Sequence, residues 1–412
     1  MIAIISIITK GVIKNTMEKT IENTTDIKGK IYLLTFISFL VGTLQFVIGG
    51  ILDKVALSVG VSVSTVGQVI TAFSLAAAIG TPIFMMATAK MDRRKQLLIG
   101  LAAVLISTIS TVTLPGFGFL MVSRSLLGVG TGIYNISAYA IVAKMAPPGR
   151  QAMALSNLAM GASAALVIGV PIARVMVAAF DWRIIFVVIG ILTLLSILAV
   201  IRMIPAAAGE APIPLSAQLA LLKNPKIFMA LSVSFLMFFA YSVVNSYTTP
   251  FLLAVMPSME TRISMILLFL GIASLIGSKL GGFLADRFGA AHTLVGGIIA
   301  QALALMLIPI FSGSVILIVS MLMIWSIAAW ACGPTLNFNL VSIAPEASGI
   351  MLSLNSTFIQ FGFAAGAAIG GIVVGSASIM AIMWTGAASL AVAVVVGLVS
   401  FGLMPPRKNY HL

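Results

Sequence analysis

Twelve long apolar runs, separated by short segments that carry charges, proline or glycine, dominate this sequence of 412 residues. A membrane-spanning helix needs about 20 consecutive apolar residues. Continuous apolar runs predict helices, because the strands of a membrane β-barrel alternate apolar and polar residues. We therefore expect an all-α membrane protein with twelve transmembrane helices. The predicted spans, numbered 1 to 12, are 31–52, 66–88, 96–115, 119–142, 152–175, 184–202, 228–252, 263–284, 291–311, 314–340, 349–374 and 378–403.

The composition excludes several classes of protein. Hydrophobic residues make up 60% of the chain and charged residues 8%, whereas soluble proteins carry about 25% charged residues. The single cysteine, Cys332, and two distant histidines predict neither a disulfide nor a metal site. An enzyme is not expected, because reactive side chains do not cluster, and no cofactor is expected. A single-chain ATP-driven pump is excluded, because the sequence lacks a GxxxxGK[ST] phosphate loop.

Lysine and arginine are distributed unequally between the segments that join the spans. If the N-terminus is cytoplasmic, seventeen of them lie on the inner side and four on the outer side. Such a bias predicts a multi-pass protein of the cell membrane with both termini in the cytoplasm. The net charge of +13 then reflects topology and contact with anionic lipids, and no nucleic-acid partner is expected.

The chain is predicted to consist of two halves. The longest polar interval, 203–227, contains four prolines and predicts a cytoplasmic linker. It separates six spans in 31–202 from six in 228–403, with cytoplasmic tails at 1–30 and 404–412. An Asp-Arg pair follows the second span of each half, which indicates duplication of a six-helix unit into two pseudo-symmetric bundles, a plan known among secondary transporters.

Four motifs resemble those of the major facilitator superfamily. Residues 282–289, Gly-x-x-x-Asp-Arg-x-Gly, resemble its cytoplasmic-loop signature, and residues 92–95 resemble a shortened form of that signature. Residues 124–132 resemble the family's fourth-helix motif, and residues 161–171 its fifth-helix antiporter motif. The resemblance covers about residues 30–403. It is strongest to the twelve-span drug/proton antiporter branch, near the purine and nucleoside efflux pumps and the sugar efflux permeases.

The resemblance implies that the two Asp-Arg turns act as gates. It implies that Asp92 approaches the start of span 11 and that Asp286 approaches the start of span 5, which would hold the halves together on the cytoplasmic side. A carboxylate at a helix N-terminus is stabilised by about 0.3–1 kcal/mol. Gly281 and Gly282 are expected to let neighbouring helices pack closely. The predicted gating residues are Asp92, Arg93, Gly282, Asp286 and Arg287.

Arg124 is a charge within span 4, and span 5 contains a predicted bend. A charge inside the membrane costs several kcal/mol unless it reaches the interface or a partner. Arg124 therefore either extends to the outer surface or lies buried against span 1 and takes part in coupling. In span 5, Gly169 and Pro171 predict a helix bend, because proline removes a backbone hydrogen bond.

Polar and aromatic side chains within the spans predict an uncharged, hydrogen-bonding cavity between the halves, near the midplane of the membrane. For any one asparagine, the alternative is a hydrogen bond between helices. Planar amides beside aromatic rings suit a flat, neutral, polar solute, such as a nucleobase, a nucleoside or a small aromatic drug. The candidate substrate-binding residues are Gln45, Tyr134, Asn135, Asn157, Tyr241, Asn245, Trp330, Asn337, Asn355 and Gln360.

None of the ten acidic residues lies at the centre of a span. The resemblance to efflux pumps implies an acid in the first span near the fourth-span arginine, but that position is Gln45, which cannot titrate. Three explanations stay open: Asp53 serves instead, within reach of Arg124; the protein is a facilitator without proton coupling; or a change from Glu to Gln mimics the protonated acid. The coupling candidates are Gln45, Asp53 and Arg124.

These features together predict a secondary active transporter that exports small organic solutes by rocker-switch alternating access. Proton antiport is implied by the resemblance. The alternatives are an uncoupled facilitator, a sugar efflux permease and, from another class, a membrane sensor that does not transport. The expected partners are a small-molecule substrate, protons if transport is coupled, and membrane lipids, and the protein is expected to be a monomer.

Overall fold

The computed structural model describes residues 2–147, 151–208, 215–344 and 347–402, with side chains described from Ile27 onward. Twelve helices in this part of the chain are long and apolar enough to cross a membrane. A π-helical turn, Ala165–Gly169, joins α5 to α6, and a 3-10 turn, Pro257–Arg262, precedes α10. The helices are α1 (Ile2–Val59), α2 (Val63–Ala87), α3 (Arg93–Thr113), α4 (Phe117–Met145), α5 (Gln151–Ala164), α6 (Val170–Ala179), α7 (Arg183–Met203), α8 (Leu215–Leu221), α9 (Pro225–Val255), α10 (Ile263–Phe288), α11 (Ala290–Ile310), α12 (Val315–Ile343), α13 (Ser348–Ser376) and α14 (Ala381–Gly402).

The spanning helices form two bundles, which confirms the predicted fold. In the first half, α1 to α7, helix α4 packs against α2 and α3. In the second half, α9 to α14, helix α12 packs against α10 and α11. The halves meet where α2 contacts α13, where α1 contacts α9, and where the π-helical turn and α6 contact α10.

The two ends of the bundle are distinguished by the helix termini that lie there. The terminal end is where α2 stops at Ala87 and α9 starts at Pro225, and the sequence predicts it to be cytoplasmic. The opposite end is where α1 stops at Val59 and α13 stops at Ser376.

Glycines set the close packing inside each half. A Cβ atom on Gly128 of α4 would overlap the carbonyl oxygen of Phe73 on α2, and one on Gly281 of α10 would overlap the carbonyl oxygen of Ala331 on α12. Small residues at such crossings let helix backbones approach in a membrane. The expectation of close packing at Gly282 is wrong, because a Cβ atom there meets no heavy atom within 4 Å. Gly282 is the residue after Gly281, so it faces about 100° away from the contact with α12.

Helix α1 continues past its predicted end at residue 52. Its backbone departs from helical geometry at Ile51 (φ −126°, ψ 19°) and then resumes to Val59. Asp53 therefore lies within the helix and not at its rim. The prediction ended the span at residue 52 because the apolar run stops at this acid. Asp53 has a buried partner, described below, so the helix can continue through it. At its other end α1 begins at Ile2, so helix also runs through the predicted tail 1–30.

Two other segments differ from the prediction. The predicted linker 203–227 contains a short helix, α8, while residues 209–214 and the predicted tail 404–412 lie outside the described residues. In span 5, the irregularity is the π-helical turn, with Gly169 as its last residue and Pro171 in the first turn of α6. Proline suits the first turn of a helix because its missing N–H group needs no partner there.

Candidate functional site

A narrow cavity of about 50 Å³ lies where the two halves meet. This volume is below that of ordinary small-molecule sites, about 300–1,000 Å³, so the walls must move apart before a solute can occupy the cavity. Three glycines, Gly49, Gly50 and Gly271, contribute to its walls without side chains. Its polar and aromatic lining residues are Phe46, Tyr241, Asn245, Thr248, Thr249, Ser274, Trp325, Ser326 and Trp330.

An aromatic cluster centred on Tyr241 forms one wall of the cavity. The ring of Trp325 stacks on Tyr241 at 5.3 Å between centroids, with an interplanar angle of 19°. Trp330 and Phe363 meet Tyr241 edge-on at 6.2 and 5.8 Å. Phe363 also lies 6.5 Å from Phe46 of the first half. Stacked and edge-on rings hold one another in fixed orientations, so this wall presents rigid flat surfaces to a bound molecule.

Two residues that line the cavity, Trp325 and Asn245, have polar groups without a hydrogen-bond partner among the described residues. By contrast, Trp330 Nε1 donates to Tyr241 Oη at 3.4 Å. Trp325 is only 2% exposed, and its Nε1–H group has no acceptor among the described residues. The amide of Asn245 likewise makes no hydrogen bond within the described part of the chain. A buried donor without a partner costs about 1–3 kcal/mol, so a bound acceptor would relieve a cost.

The lining of this cavity carries no charge. None of its described lining residues is acidic or basic. In a site surrounded by apolar helices, an ionic solute would lose its hydration without gaining a counter-charge. The arrangement therefore suits a neutral molecule with flat faces and at least one hydrogen-bond acceptor.

Three of the predicted substrate-binding residues, Tyr241, Asn245 and Trp330, line this cavity. Others are used in hydrogen bonds between helices, the alternative that the sequence left open. Tyr134 donates to the carbonyl of Leu34 at 2.7 Å, and Asn355 Nδ2 donates to Asn337 Oδ1 at 2.9 Å. The remaining four are half-buried and lie away from the cavity lining; they are Gln45, Asn135, Asn157 and Gln360.

Sequence reasoning missed several contributors to the site. The hydroxyl residues Thr248 and Ser326 face the cavity although nothing distinguishes them from other hydroxyl residues of the spans. The adjacent glycines Gly49 and Gly50 were a usable signal, because paired glycines within an apolar run permit close contact with another backbone. Phe363 gave no signal, because aromatic residues also face lipid.

The halves touch on the opposite-end side of the cavity. Thr249 Oγ1 of α9 donates to the carbonyl of Gly50 on α1 at 3.3 Å. A Cβ atom on Gly271 of α10 would lie 2.5 Å from Val167 Cα in the π-helical turn. Nearer the end, the Lys54–Glu260 ion pair joins the halves at 3.4 Å. These contacts close the cavity toward the opposite end.

A second set of contacts between the halves, here called the α2 seal, lies between α2 and the second half. Tyr247 Oη of α9 donates to the carbonyl of Ala367 on α13 at 2.9 Å, and its ring fills the space beside Gly67 of α2. Ser64 Oγ of α2 donates to the carbonyl of Gly371 on α13 at 2.5 Å. The α2 seal depends on Gly67, because a Cβ atom at that position would overlap the hydroxyl of Tyr247.

Arg124 is buried against α1 and does not extend to the outer surface. Its Nη1 donates to the carbonyl of Leu44 at 2.7 Å, and its Cζ lies 5.3 Å from the ring centroid of Phe186. Its Nε and Nη2 groups have no acceptor among the described residues. Leu44 directly precedes Gln45, so the arginine lies beside the position where the resemblance implies an acid.

Asp53 pairs with Arg174 of α6 and not with Arg124, which corrects the pairing that the sequence suggested. The side chains of Arg174 and Asp53 are 6% and 13% exposed. Arg174 Nη1 also donates to the carbonyl of Gly50 at 3.4 Å. Helix α6 packs directly on α1, which brings this second arginine to Asp53.

The Asp-Arg turns differ from each other. Asp92 caps its own helix, because its carboxylate accepts the N–H groups of Arg94 and Lys95 at 2.9 and 3.2 Å. The side chain of Arg93 donates to Gln96 Oε1 at 2.9 Å. Asp286 and Arg287 are exposed. Residues 148–150 and 345–346, which precede the helix starts that these acids are predicted to approach, lie outside the described residues.

The family described as Major Facilitator Superfamily matches this chain over residues 34–356 and 259–411. Among curated proteins, an uncharacterized MFS-type transporter, YbcL of Bacillus subtilis (strain 168), is 40% identical over 378 residues. That alignment covers 92% of this chain and 97% of the relative.

Solved structures share the fold at low sequence identity. A bacterial homolog of the human lysosomal transporter Spinster, in an inward-facing and occupied conformation, matches with a TM-score of 0.73 and 16% identity, over 92% of this chain and 97% of its own. The nucleoside transporter NupG, in a point-mutant form, matches with a TM-score of 0.74 and 15% identity, over 91% of this chain and 100% of its own. At these identities the similarity shows the fold alone.

Proposed function

This chain belongs to the major facilitator superfamily as an MFS-type membrane transporter, and on that premise we propose that it exports a small, flat, uncharged organic solute by alternating access. The solute class is a purine base, a nucleoside or a drug-like aromatic compound. The observation that carries this proposal is the uncharged aromatic cavity between the halves, with its unpartnered Trp325 donor.

The cavity suggests how the solute is recognised. A planar ring fits against the aromatic cluster around Tyr241, and a ring nitrogen or carbonyl oxygen accepts the N–H group of Trp325. The free amide of Asn245 supplies two further N–H donors and an acceptor oxygen. A site with buried polar groups discriminates strongly against analogues that leave those groups unpaired. Solutes without an acceptor are therefore expected to bind poorly.

Alternating access requires that the contacts at the opposite end break and reform. Two of these contacts are the Thr249–Gly50 hydrogen bond and the Lys54–Glu260 ion pair. An exposed ion pair contributes only about 0–1 kcal/mol, so the Lys54–Glu260 pair can break at little cost. We propose that the terminal end is cytoplasmic, as the basic residues predict. The structure then corresponds to a state closed toward the outside.

A binding screen tests the solute class. Purified protein is titrated with nucleobases, nucleosides, sugars and aromatic drugs, and the thermal shift is measured. We expect a purine-like or aromatic solute to bind, and Trp325→Phe to weaken that binding about 10-fold, because a hydrogen bond from a buried donor is lost.

The matched control is Trp182→Phe. Trp182 is also buried, and its Nε1–H group also lacks an acceptor among the described residues, but it lies at the start of α7, away from the cavity. Equal losses in both variants, or binding of sugars only, would contradict the proposed recognition.

We propose that transport is not coupled to protons through residue 45. Gln45 cannot titrate, and no carboxylate lines the cavity among the described residues. This favours the uncoupled facilitator over a proton antiporter that works through the first span. A facilitator moves its solute down the concentration gradient, so it exports the solute only when the concentration inside is higher. Asp53, the described acid that is paired with a buried arginine, is the alternative proton carrier.

Gln45→Glu is expected to make transport depend on protons. The new carboxylate would lie next to Leu44, whose carbonyl receives Arg124, so a titratable group would face a cation inside the membrane. Transport into vesicles is measured with and without an imposed pH gradient, and Gln45→Met serves as an uncharged control. Uphill transport by the wild type, driven by the pH gradient, would refute the absence of coupling. If that transport survives Asp53→Asn, Asp53 is not the proton carrier.

A further inference from the structure

The carbonyl oxygen of Gly50 in α1 receives hydrogen bonds from both halves of the protein. Arg174 Nη1 of α6, in the first half, donates to it at 3.4 Å. Thr249 Oγ1 of α9, in the second half, donates to it at 3.3 Å. Both donor residues are buried, Thr249 completely. One backbone atom therefore joins a contact within the first half to a contact between the halves.

The backbone next to Gly50 is irregular. Ile51, the next residue, departs from helical geometry, with φ −126° and ψ 19°. The peptide unit that carries the Gly50 carbonyl lies between these two residues, so its orientation depends on the kink. Helices kink where a side chain inserts among their backbone hydrogen bonds, and at this position Arg174 and Thr249 are the side chains that reach the carbonyl.

Close packing of α6 on α1 sets the position of Arg174. A Cβ atom on Gly50 would lie 2.5 Å from Val170 Cγ1, at the start of α6. Arg174 follows Val170 by about one helical turn, on the same face of α6. Its Nη1 pairs with Asp53 of α1 and also donates to Gly50. The ion pair therefore holds the guanidinium against the carbonyl of Gly50.

The hydrogen bond from Thr249 closes the central cavity toward the opposite end. Gly50 and Thr249 both line that cavity, so a solute cannot pass between them while the bond is formed. The next residue, Pro250, lies inside α9 and has no N–H group. Both helices can therefore bend at this level, and the contact between their side chains and backbone decides whether they separate.

We propose that Arg174 is a positioning residue of the transport cycle. Paired with Asp53, it orients the Gly50 carbonyl toward Thr249 and so holds the cavity closed toward the opposite end. The ion pair within the first half thus sets the strength of a contact between the halves. This inference rests on the alternating access proposed above but not on the solute class, and its test needs no solute.

Cysteine labelling from the outside measures closure toward the opposite end. Ser274, which is buried and lines the cavity, is replaced by cysteine to give the parent, and a membrane-impermeant maleimide is applied to intact cells. The wild-type chain, whose single cysteine, Cys332, is buried, gives the background. We expect Thr249→Val in the parent to raise the labelling rate about 5-fold, because one hydrogen bond between the halves is lost.

Two variants of α9 serve as matched controls. Thr249→Ser keeps the hydroxyl group and should be labelled as slowly as the parent. Thr248→Val makes the same change at the preceding residue, which also lines the cavity. The Oγ1 of Thr248 donates to the carbonyl of Val244 in its own helix at 2.8 Å, so this variant should also be labelled slowly.

A double variant of the ion pair separates positioning from stability. Asp53→Asn combined with Arg174→Gln leaves no buried charge, so most of the thermal stability should be kept. A glutamine side chain ends two bonds before the position of Arg174 Nη1 and does not reach Gly50. The labelling rate should therefore still rise about 5-fold, whereas a pair with only a structural role would leave that rate unchanged.

Three outcomes would overturn the inference. They are parent-like labelling of Thr249→Val, equally fast labelling of Thr248→Val, and parent-like labelling of the double ion-pair variant. The same reagent is also applied to inside-out vesicles. A rise in labelling there, in place of intact cells, would support the role of Arg174 and would reverse the proposed orientation of the protein in the membrane.

Discussion

Asp53→Asn is expected to lower the free energy of unfolding by about 3–5 kcal/mol, because it leaves Arg174 as a buried cation without a counter-charge. The Arg174 side chain is 6% exposed, so water cannot replace the lost carboxylate. Asparagine has almost the same volume as aspartate, which removes packing as the cause. The arginine would keep only its hydrogen bond to the carbonyl of Gly50.

Thermal unfolding of the purified variants measures this effect. The double variant Asp53→Asn with Arg174→Gln should recover most of the loss, because no buried charge remains. Lys54→Gln, which breaks the neighbouring exposed pair with Glu260, is the control and should cost at most about 1 kcal/mol. Similar losses in Asp53→Asn and Lys54→Gln would show that burial of the Asp53–Arg174 pair does not matter.

Gly271→Ala is expected to reduce transport at least 10-fold, because it prevents the halves from closing on the cavity. The new Cβ atom would lie 2.5 Å from Val167 Cα and 2.8 Å from the carbonyl oxygen of Leu166. Both atoms belong to the backbone of the π-helical turn, which cannot move aside as a flexible side chain can. The two halves must then separate at this contact, while the packing within each half is retained.

Transport into vesicles and amide hydrogen exchange over residues 241–255 measure this separation. Exchange at the opposite end of α9 should become faster in Gly271→Ala. Gly296→Ala is the matched control, because a Cβ atom on Gly296 of α11 meets no heavy atom within 4 Å. Unchanged transport in Gly271→Ala would mean that this contact takes no part in the transport cycle.

The sequence by itself determined the architecture. Hydrocarbon provides no partners for backbone polar groups, so each long apolar run had to be a helix, and the spacing of the runs set the division into six and six. These conclusions follow from local properties of the chain. For Arg124 the sequence left two alternatives, extension to the outer surface or burial against α1, and the structure shows burial.

Only the tertiary structure decided which side chains form the site. Tyr241 and Asn245 face the central cavity, whereas Tyr134 and Asn355 bond to neighbouring helices, although all four are polar residues in apolar runs. Likewise the packing of α6 on α1 gave Asp53 its partner, Arg174.

The physical reason is the solvent. In water, the polar face of a helix shows which side is outward, but in a bilayer the lipid-facing and buried faces are both apolar. The apolar pattern therefore fixes where each helix of this protein crosses the membrane, and leaves its rotation to contacts between distant parts of the chain. Those contacts, such as Gly271 against the π-helical turn, place the cavity.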